Sequence, residues 1–282
     1  MSNNSVPKIK RFAIIGFPLQ HSVSPRLHNR AFKDYGMKAT YEKMPIPPEE
    51  FEARILQLKR EDWGGFNVTI PFKERIIPLL DGVEKTARAI GAVNTIKCDR
   101  GRWLGFNTDW LGFLRPIEWK LDDFKHCLIL GAGGAARAVA FALIRLKNVK
   151  SLIIANRTMH RAELLVNDLQ RFGSTASISA AHLNSLMPFS QQKFDLIVNS
   201  TSVGMNDPLA TPVIDPKPLA HSKTLIYDLI YKPPETGLLK RAKKLGLRTL
   251  NGYAMLVHQA NAAFEIWTGK PYLPVTLKSL LR

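Results

Sequence analysis

The chain of 282 residues has no long hydrophobic run, only two cysteines and few acidic residues. No apolar stretch approaches the roughly 18 residues that a membrane-spanning helix needs, so we expect no membrane partner. The amino terminus, Met1-Ser-Asn-Asn-Ser5, is polar and no apolar segment follows it, which argues against a secretory signal. Cys98 and Cys127 match no metal-binding or redox spacing. We therefore predict no bound metal and interpret both as free thiols of a cytoplasmic protein.

Acidic residues are scarce relative to basic ones. The chain has 23 Asp and Glu against 40 Lys and Arg, and its formal net charge is +17. Such a charge suits either nucleic acid or small anionic ligands. The basic residues are scattered and form neither a long run nor a known nucleic-acid-binding motif, so we disfavour nucleic acid as the main partner. The length and the 45% hydrophobic content predict a globular protein of two domains.

Short apolar runs alternate with helical patterns in the amino-terminal part, which predicts an α/β fold with a parallel-type sheet. Ser24 is the predicted cap of the first helix, and Pro25 is its predicted first residue. The elements predicted for this part are strands at 11–16, 41–44, 65–70 and 93–98 and helices at 24–35, 48–59 and 82–90.

From about residue 111 onward, two linked βαβ units are predicted, the pattern of a doubly wound, Rossmann-type sheet. A final helix over 253–267 follows them. The elements predicted within the two units are strands at 126–130, 151–155, 195–198 and 225–229 and helices at 133–146 and 159–172.

A glycine-rich turn joins the strand at 126–130 to the next helix. Gly131 allows a tight turn, Gly133 lets the backbone approach a pyrophosphate, and Ala136 allows close packing of helix on strand. The helix amino terminus offers unpaired N–H groups and a positive dipole end to phosphate. A plain strand–helix turn with accidental glycines is the alternative, but the strand–turn–helix context favours a dinucleotide site.

The end of the next strand indicates which dinucleotide binds. The residues Ala155-Asn156-Arg157-Thr158 include no carboxylate that could hold a ribose 2′-hydroxyl, as NAD sites commonly do. Arg157 can instead pair with a 2′-phosphate, Asn156 and Thr158 can hydrogen-bond to it, and Arg161 lies one helical turn further on. This pattern favours NADP(H) over NAD. A capping role for Thr158 and a solvated Arg157 are the alternatives.

Polar residues also follow predicted strands of the amino-terminal part. Ser22 and Ser24 precede a helix and suit a carboxylate, although capping alone explains Ser24. Lys73 follows a strand, where a lysine is more often solvated than catalytic, and Asp109 could simply cap a helix. Gln259 lies on an apolar helix face and needs a polar partner, because a buried unpaired group costs about 1–3 kcal/mol.

Eight segments can be compared together with known families: Ser22-Val-Ser24-Pro25, Asn67-Val-Thr-Ile-Pro-Phe-Lys73, Gly91-Ala-Val-Asn94-Thr95, Asn107-Thr-Asp109, Gly131-Ala-Gly-Gly134, Asn156-Arg-Thr158, Asn199-Ser-Thr-Ser-Val-Gly-Met205, and Gly252-Tyr253 with Gln259. In order and spacing, over nearly the whole chain, they resemble the shikimate/quinate dehydrogenase family. The resemblance implies an oxidoreductase that uses NADPH to reduce 3-dehydroshikimate reversibly to shikimate. That reaction belongs to the biosynthesis of chorismate and the aromatic amino acids.

The resemblance also implies roles for individual residues. Lys73 and Asp109 would form the catalytic pair. The residues implied in substrate binding are Ser22, Ser24, Thr69, Lys73, Asn94, Asp109, Tyr231 and Gln259. The residues implied in NADP(H) binding are Gly131, Ala132, Gly133, Gly134, Ala135, Asn156, Arg157, Thr158, Arg161, Leu229, Gly252 and Met255.

The same resemblance implies a domain plan. Residues 1–110 would form the substrate-binding and catalytic domain, with the carboxyl-terminal helices of 253–282 packing back on it, and residues 111–252 would form the NADP-binding domain. We expect a small-molecule substrate and a monomer or homodimer. Activity with quinate or with NAD stays open as an alternative. A non-catalytic dinucleotide-binding regulator is disfavoured, because both Lys73 and Asp109 are present.

Overall fold

The computed structural model describes residues 9–205, 207 and 210–281, and the chain divides into two compact units. Unit 1 comprises the chain up to Thr108 and from Gln259 onward, and unit 2 comprises Asp109–His258. Each unit contains a six-stranded sheet. Among the described residues, no helix is both long and apolar enough to span a bilayer.

Unit 1 begins with six strands and three α-helices. In chain order they are β1 (Lys10–Gly16), α1 (Ser24–Asp34), β2 (Ala39–Pro45), α2 (Phe51–Leu58), β3 (Gly65–Val68), β4 (Gly82–Val83), α3 (Lys85–Ile90), β5 (Thr95–Asp99) and β6 (Arg102–Phe106).

The sheet of unit 1 is mixed, so the expectation of a parallel-type sheet is correct for only part of it. The strand order is β2-β1-β3-β5-β6-β4. The pairs β1–β2 and β1–β3 are parallel, whereas β3–β5 and β5–β6 are antiparallel. The β5–β6 pair is antiparallel because Arg100 and Gly101, with φ of 50° and 77°, form a two-residue turn between these strands that returns the chain directly. Positive φ at both central residues matches the twist of a tight hairpin.

Helix α1 begins one residue earlier than the capping pattern suggested. Val23 is its N-cap, and Ser24 is the first helical residue, so the prediction of Ser24 as the cap is wrong by one position. Pro25 lies in the first turn, where its missing N–H has no helical partner to lose. Leu27, Ala31 and Phe32 face the interior, with a spacing that defines one helix face. Ser24 is buried, and no side chain makes a capping hydrogen bond at the start of this helix.

Unit 2 alternates strands and helices. In chain order its elements are α4 (Asp109–Leu114), a 3-10 helix (Arg115–Asp123), β7 (His126–Leu130), α5 (Gly134–Ile144), β8 (Ser151–Asn156), α6 (Met159–Gln170), β9 (Ser177–His182), β10 (Phe194–Asn199), β11 (Ala220–Asp228), α7 (Gly237–Lys244) and β12 (Arg248–Leu250). Helix α8 (Tyr253–Thr268) follows, and α9 (Pro274–Leu281) comes after the helix that was expected to be the last.

The sheet of unit 2 is parallel throughout, in the order β12-β11-β10-β7-β8-β9. This is the doubly wound arrangement, in which the strand order reverses between β7 and β10. Helix α5 carries alanines at positions 135, 136, 138, 140 and 142, and most of its residues are fully buried. Small side chains let this helix pack closely on the sheet. The prediction of a Rossmann-type fold from the strand–helix alternation is confirmed.

Parallel strands all end at the same edge of the sheet, and in unit 2 that edge gathers the residues implied in cofactor binding. The glycine turn follows β7, Asn156 ends β8 and Leu229 follows β11. Residues far apart along the chain are therefore presented by neighbouring strands.

Candidate functional site

The glycine turn of unit 2 has a tight start and an open end. Gly131 has a φ of +107°, and its N–H donates to the Ala155 carbonyl over 2.7 Å, which ties the turn to the end of β8. A Cβ on Gly131 would lie 2.6 Å from Oγ of Ser200. Gly133 is exposed, and no atom lies within 4 Å of the position where its Cβ would stand. Because Gly133 is the N-cap of α5, this open space lies at a helix amino terminus, where anions bind.

The loop after β8 presents two of its predicted ligands to solvent. Asn156 is half-buried, and its Nδ2 donates to the Thr158 carbonyl over 2.9 Å, which shapes the turn. Arg157 and Thr158 are exposed, and Arg161 lies exposed in the first turn of α6. Thr158 occupies the N-cap position of α6, but its side chain makes no capping hydrogen bond. This loop has the donors needed to hold a phosphate at the strand edge.

A buried acid that the sequence analysis did not single out lies at the end of β11. Asp228 is fully buried, and its Oδ1 accepts hydrogen bonds from Nδ2 of Asn199 at 3.0 Å and from the Ile230 N–H at 3.1 Å. Its Oδ2 accepts from the Thr236 hydroxyl at 2.6 Å. Burial raises the pKa of the Asp228 carboxyl, and the three hydrogen bonds oppose that rise. The carboxyl therefore ties the end of β10 to the segment that follows β11.

Gly252 packs directly against the segment after β11. Its N–H donates to the Ile230 carbonyl over 3.0 Å, and a Cβ at this position would lie 1.9 Å from the Leu229 carbonyl oxygen. Glycine is therefore required for this approach. Met255 is buried in the core of unit 2, whereas Leu229 and Tyr231 are half-buried. The structure thus brings Leu229 and Gly252 together.

In unit 1, polar side chains gather around Asn94, which is 2% exposed. Its Oδ1 accepts from the Thr108 N–H at 2.8 Å, and its Nδ2 donates to the Thr108 hydroxyl at 2.9 Å and to Oε1 of Gln259 at 3.3 Å. Gln259, at 8% exposed, thus has the polar partner that its place on an apolar helix face requires. Asn94 and Gln259 are brought together although 165 residues separate them.

The backbone around Asn94 joins it to the other strand ends. The Val68 N–H donates to the Asn94 carbonyl at 2.9 Å, and the Asn94 N–H donates to the Phe106 carbonyl at 3.1 Å. The Val93 N–H donates to the carbonyl of Lys73 at 2.8 Å. These bonds place the backbone of Lys73 beside the strand end that carries Asn94, and Lys73 itself is half-buried.

The remaining substrate-side residues lie at two further chain positions. The Ser24 N–H donates to Oγ of Ser22 at 3.4 Å, so these two serines are neighbours at the start of α1. The Thr69 N–H donates to the Ile15 carbonyl at 2.9 Å, which fixes Thr69 at the end of β1. Asp109 is buried and begins α4, as the first residue of unit 2.

Sequence reasoning assigned no role to two buried residues of this cluster. Thr108, 1% exposed, holds both ends of the Asn94 amide, and Asn67, 5% exposed, is a polar residue within the otherwise apolar strand β3. An asparagine flanked by buried apolar neighbours is a sequence signal for such a role, because buried amides need partners. Thr108 gave no comparable signal.

Two units define the class of this protein: one has a parallel doubly wound sheet with a glycine turn at its switch point, and the other has a mixed sheet with a buried polar cluster. The first is the architecture of dinucleotide-binding proteins. Three family models match the chain in order. They are the shikimate dehydrogenase substrate binding domain at residues 14–96, shikimate / quinate 5-dehydrogenase at 118–212, and the shikimate 5'-dehydrogenase C-terminal domain at 252–271.

Individual relatives agree over nearly the full length. The chain is 43% identical over 277 residues to a shikimate dehydrogenase (NADP(+)) of Carboxydothermus hydrogenoformans, with 96% of both chains covered. It is 36% identical to the solved shikimate 5-dehydrogenase of Thermus thermophilus in complex with NADP(H) and shikimate, with a TM-score of 0.81 and coverage of 96% and 98%. A quinate dehydrogenase from Corynebacterium glutamicum in complex with NAD is 30% identical, with a TM-score of 0.83 and coverage of 96% and 98%. The chain belongs to the shikimate dehydrogenase family of oxidoreductases, as the sequence resemblance implied.

Proposed function

We propose that this chain catalyses the reversible, NADP-dependent reduction of 3-dehydroshikimate to shikimate, with Lys73 and Asp109 as its catalytic pair. The observation that carries the proposal is the open amino terminus of α5, where Gly133 leaves room for a pyrophosphate. The family's substrate-binding and dehydrogenase models match residues 14–96 and 118–212, on units 1 and 2 respectively.

The cofactor residues divide by the part of NADP(H) that each would hold. The backbone of residues 131–135 receives the pyrophosphate at the helix amino terminus. Arg157 and Arg161 pair with the 2′-phosphate, and Asn156 and Thr158 supply hydrogen bonds. Leu229, Gly252 and Met255 flank the nicotinamide. The exposed cationic loop after β8, which lacks a carboxylate, favours NADP(H) over NAD.

The substrate residues divide in the same way. Ser22 and Ser24, at the start of α1, bind the carboxylate. Asn94 and Gln259 bind ring hydroxyls from the buried cluster, together with Thr69 and Asp109, and Tyr231 lines the pocket. Buried amides and hydroxyls of this kind discriminate strongly, because an analogue that lacks a hydroxyl leaves them unpaired.

In the reduction, bound NADPH supplies the hydride that reaches the ring carbonyl carbon. The ammonium group of Lys73 stabilises the negative charge that develops on the carbonyl oxygen and donates the proton that completes the alcohol. Asp109 holds that ammonium in place through a charge-assisted hydrogen bond. In the oxidation of shikimate, the neutral amine of Lys73 accepts the hydroxyl proton.

The proposal also covers the location, the oligomeric state and the partners of the chain. We propose that it acts in the cytoplasm as a monomer or homodimer, with no nucleic-acid partner. The high positive charge is consistent with two anionic ligands, one carrying a carboxylate and the other phosphates.

The test is the reduction of NADP⁺ by shikimate, followed by the absorbance of NADPH, and repeated with quinate and with NAD⁺. Replacing Lys73 with Ala should lower kcat by about 10²–10⁴-fold, the effect of losing one positioned acid–base group. The KM for shikimate should change much less. Lys43→Ala is the matched control, because Lys43 is an exposed lysine of unit 1 whose ammonium group donates to the Gln20 carbonyl.

Turnover by Lys73→Ala within about threefold of the unaltered protein would remove Lys73 as the proton donor. No turnover by the unaltered protein with any combination of substrates would defeat the enzyme proposal itself. Faster turnover with quinate and NAD⁺ than with shikimate and NADP⁺ would establish the alternative specificity.

A further inference from the structure

Asp228 is a buried acid of unit 2 that has no part in the proposed mechanism. It is the last residue of β11, its exposed fraction is 0%, and its carboxyl group accepts the hydrogen bonds described above. The donors belong to separate segments: Asn199 ends β10, Ile230 follows β11, and Thr236 is the N-cap of α7. Because an ionised carboxyl group only accepts hydrogen bonds, its two oxygens suit these donors. The carboxyl group is therefore a junction of three segments.

Asn199 carries the influence of Asp228 to the segment after β10. Its Nδ2 donates to Asp228, and its Oδ1 accepts from the Thr201 N–H at 3.1 Å and from the Thr201 hydroxyl at 2.7 Å. In the flipped orientation the amide oxygen would face the carboxylate, and the NH₂ group would face the Thr201 N–H. The carboxyl group thus selects the amide orientation that turns the chain at Thr201. Ser200 donates through its N–H at 2.9 Å and its hydroxyl at 2.7 Å to the Leu130 carbonyl, which fixes this segment against the start of the glycine turn.

The backbone after β11 is fixed by the same carboxyl group. The Ile230 N–H donates to Oδ1 of Asp228 at 3.1 Å, and the Leu229 N–H donates to the Asn199 carbonyl at 2.9 Å. The Ile230 carbonyl in turn accepts from the Gly252 N–H at 3.0 Å. Since a Cβ at Gly252 would lie 1.9 Å from the Leu229 carbonyl oxygen, this contact tolerates little displacement. Leu229 and Gly252 are the residues proposed above to flank the nicotinamide, so Asp228 supports that part of the site.

Thr236 adds the start of α7 to this arrangement. Its hydroxyl donates its only proton to Oδ2 of Asp228 at 2.6 Å, and the hydroxyl oxygen accepts from the Leu239 N–H at 3.4 Å as the cap of the helix. A Cβ on Gly204 would lie 3.4 Å from Cβ of Thr236, so the start of α7 also packs against the segment that follows β10. All these restraints depend on both oxygens of one carboxyl group acting as acceptors.

The adenosine end of the proposed cofactor site lies away from this carboxyl group. The strand order places β10 and β7 between β11 and β8, and Arg157 follows β8. Neighbouring strands are about 4.8 Å apart, so three steps separate the ends of β11 and β8 by about 14 Å. A displacement around Asp228 should therefore reach the nicotinamide end and leave the 2′-phosphate end unchanged.

We infer that Asp228 is a positioning residue for the nicotinamide end of the cofactor site, where it sets the backbone of Leu229 and Ile230 against Gly252. It touches neither substrate nor cofactor in this role. The inference rests on the proposed function, but its binding test needs only the cofactor and the adenosine fragment of the cofactor, so the two can fail separately.

The test is Asp228→Asn, which keeps the shape of the side chain but replaces one accepting oxygen with an NH₂ group that faces a donor. We expect the affinity for NADPH, titrated by fluorescence, to fall by about tenfold. The kcat for shikimate oxidation should fall by about 10- to 100-fold, because a misplaced nicotinamide transfers hydride less often. The affinity for adenosine 2′,5′-bisphosphate, which lacks the nicotinamide, should change by less than about twofold in a calorimetric titration.

Asp195→Asn is the matched control. Asp195 lies near the start of β10, at the opposite edge of the same sheet, and accepts from the Lys125 N–H at 2.9 Å and the His126 N–H at 2.8 Å. It also forms a hydrogen bond of 3.0 Å with the His221 ring. Its hydrogen bonding is comparable to that of Asp228, so its replacement should cost stability yet leave both affinities and kcat unchanged.

Equal losses of affinity for NADPH and for the bisphosphate in Asp228→Asn would overturn the inference. A lower melting temperature with both affinities and kcat retained would overturn it too, because the role would then be purely structural. If Asp228→Asn does not fold, Thr236→Val, which removes one donor, should lower kcat by a smaller factor, and Thr236→Ser should restore it; an unaltered kcat in Thr236→Val would count equally against the inference. If the unaltered protein binds NADPH but oxidises no shikimate, the proposed function fails, while the two affinities still decide the inference.

Discussion

Replacing Gly133 with Ala separates the cofactor's requirement for glycine from the fold's requirement. The backbone of Gly133 has φ −94° and ψ −172°, a conformation that any residue adopts, and no atom lies within 4 Å of the added Cβ. Alanine is a poorer N-cap than glycine by about 0.5–1 kcal/mol. The lower conformational entropy of the unfolded chain offsets this by about 0.4–1 kcal/mol. The free energy of unfolding should therefore change by less than about 0.5 kcal/mol.

Cofactor binding should respond very differently. If the pyrophosphate approaches the backbone here, the new methyl group displaces it from at least one N–H donor. A hydrogen bond to a charged group is worth about 1.5–3 kcal/mol, so the affinity for NADPH should fall by about 10- to 150-fold. The binding of shikimate should not change, because the residues assigned to its carboxylate and to its Asn94-centred hydroxyl site lie in unit 1.

Gly131→Ala is the comparison that tests the fold's own requirement. Gly131 has a φ of +107°, and its Cβ would lie 2.6 Å from Oγ of Ser200. This variant should lose at least about 1–2 kcal/mol of stability, whatever it does to NADPH. The measurements are thermal unfolding without ligand and titration of each variant with NADPH by fluorescence.

The reasoning is refuted if Gly133→Ala binds NADPH within about threefold of the unaltered protein while its melting temperature is unchanged. The open space at α5 would then not be the place where the pyrophosphate approaches. A large loss of stability in Gly133→Ala would refute the other half of the argument, because nothing in the structure opposes the methyl group.

Two further predictions follow from charges. Arg157→Ala should weaken NADPH by about tenfold or more and NADH hardly at all, because only NADPH carries the 2′-phosphate that Arg157 is proposed to pair with; equal losses in titrations with both would contradict that role. His28, fully buried between Tyr41 and Trp267, has its pKa lowered by burial to about 3. Since the unfolded pKa is about 6.5, the folded state binds fewer protons, and the stability that the neutral ring contributes is present above pH 6.5 and is lost as the pH falls toward 3. At pH 5 the loss should be about 2 kcal/mol. Denaturant unfolding between pH 4 and 7 measures how the free energy of unfolding changes with pH, and this slope gives the number of protons taken up on unfolding. That number should be smaller by about one in His28→Gln than in the unaltered protein. An identical slope in both proteins would show that His28 is charged in the folded state.

The cofactor unit was the more predictable half of the fold. The strand His126–Leu130 was predicted at its observed bounds, and the neighbouring elements were correct to within a few residues. Parallel strands buried on both faces read as continuous apolar runs, and glycine marks the turn between strand and helix. The weak strand Ser177–His182 was missed because its small and polar residues give no such run.

The first unit was less predictable, for two local reasons. The strand Arg102–Phe106 was missed because the turn that precedes it is Arg100-Gly101, which lacks the Asn-Gly or Asp-Gly pair that commonly signals a hairpin. Without that strand, an antiparallel return could not be foreseen. The start of α1 was misplaced by one residue, because a serine before a proline has the composition of a cap whether or not it serves as one.

The candidate site was predictable only from the resemblance of eight separate segments, taken together, to a known family. Asn94 and Gln259 lie 165 residues apart, and no local pattern states that they meet. The same holds for Tyr41 and Asn67, which are 26 residues apart and joined by a single hydrogen bond. Local hydrophobic patterns in the sequence indicate which residues are buried. They do not report which buried polar groups satisfy one another, because that depends on the order of strands in the sheet.

Unit 1 is discontinuous in the chain, and this has a consequence for its biosynthesis. Trp267, near the end of α8, donates through Nε1 to the Ile96 carbonyl at 2.9 Å and packs where a Cβ of Gly65 would stand. About 160 residues separate Thr108 from Trp267, which a ribosome adds in roughly 10–30 s. Throughout that interval the nascent first sheet lacks Trp267, whereas the contiguous second unit can close as soon as it emerges. The part of the protein that is synthesised first is therefore the part that matures last.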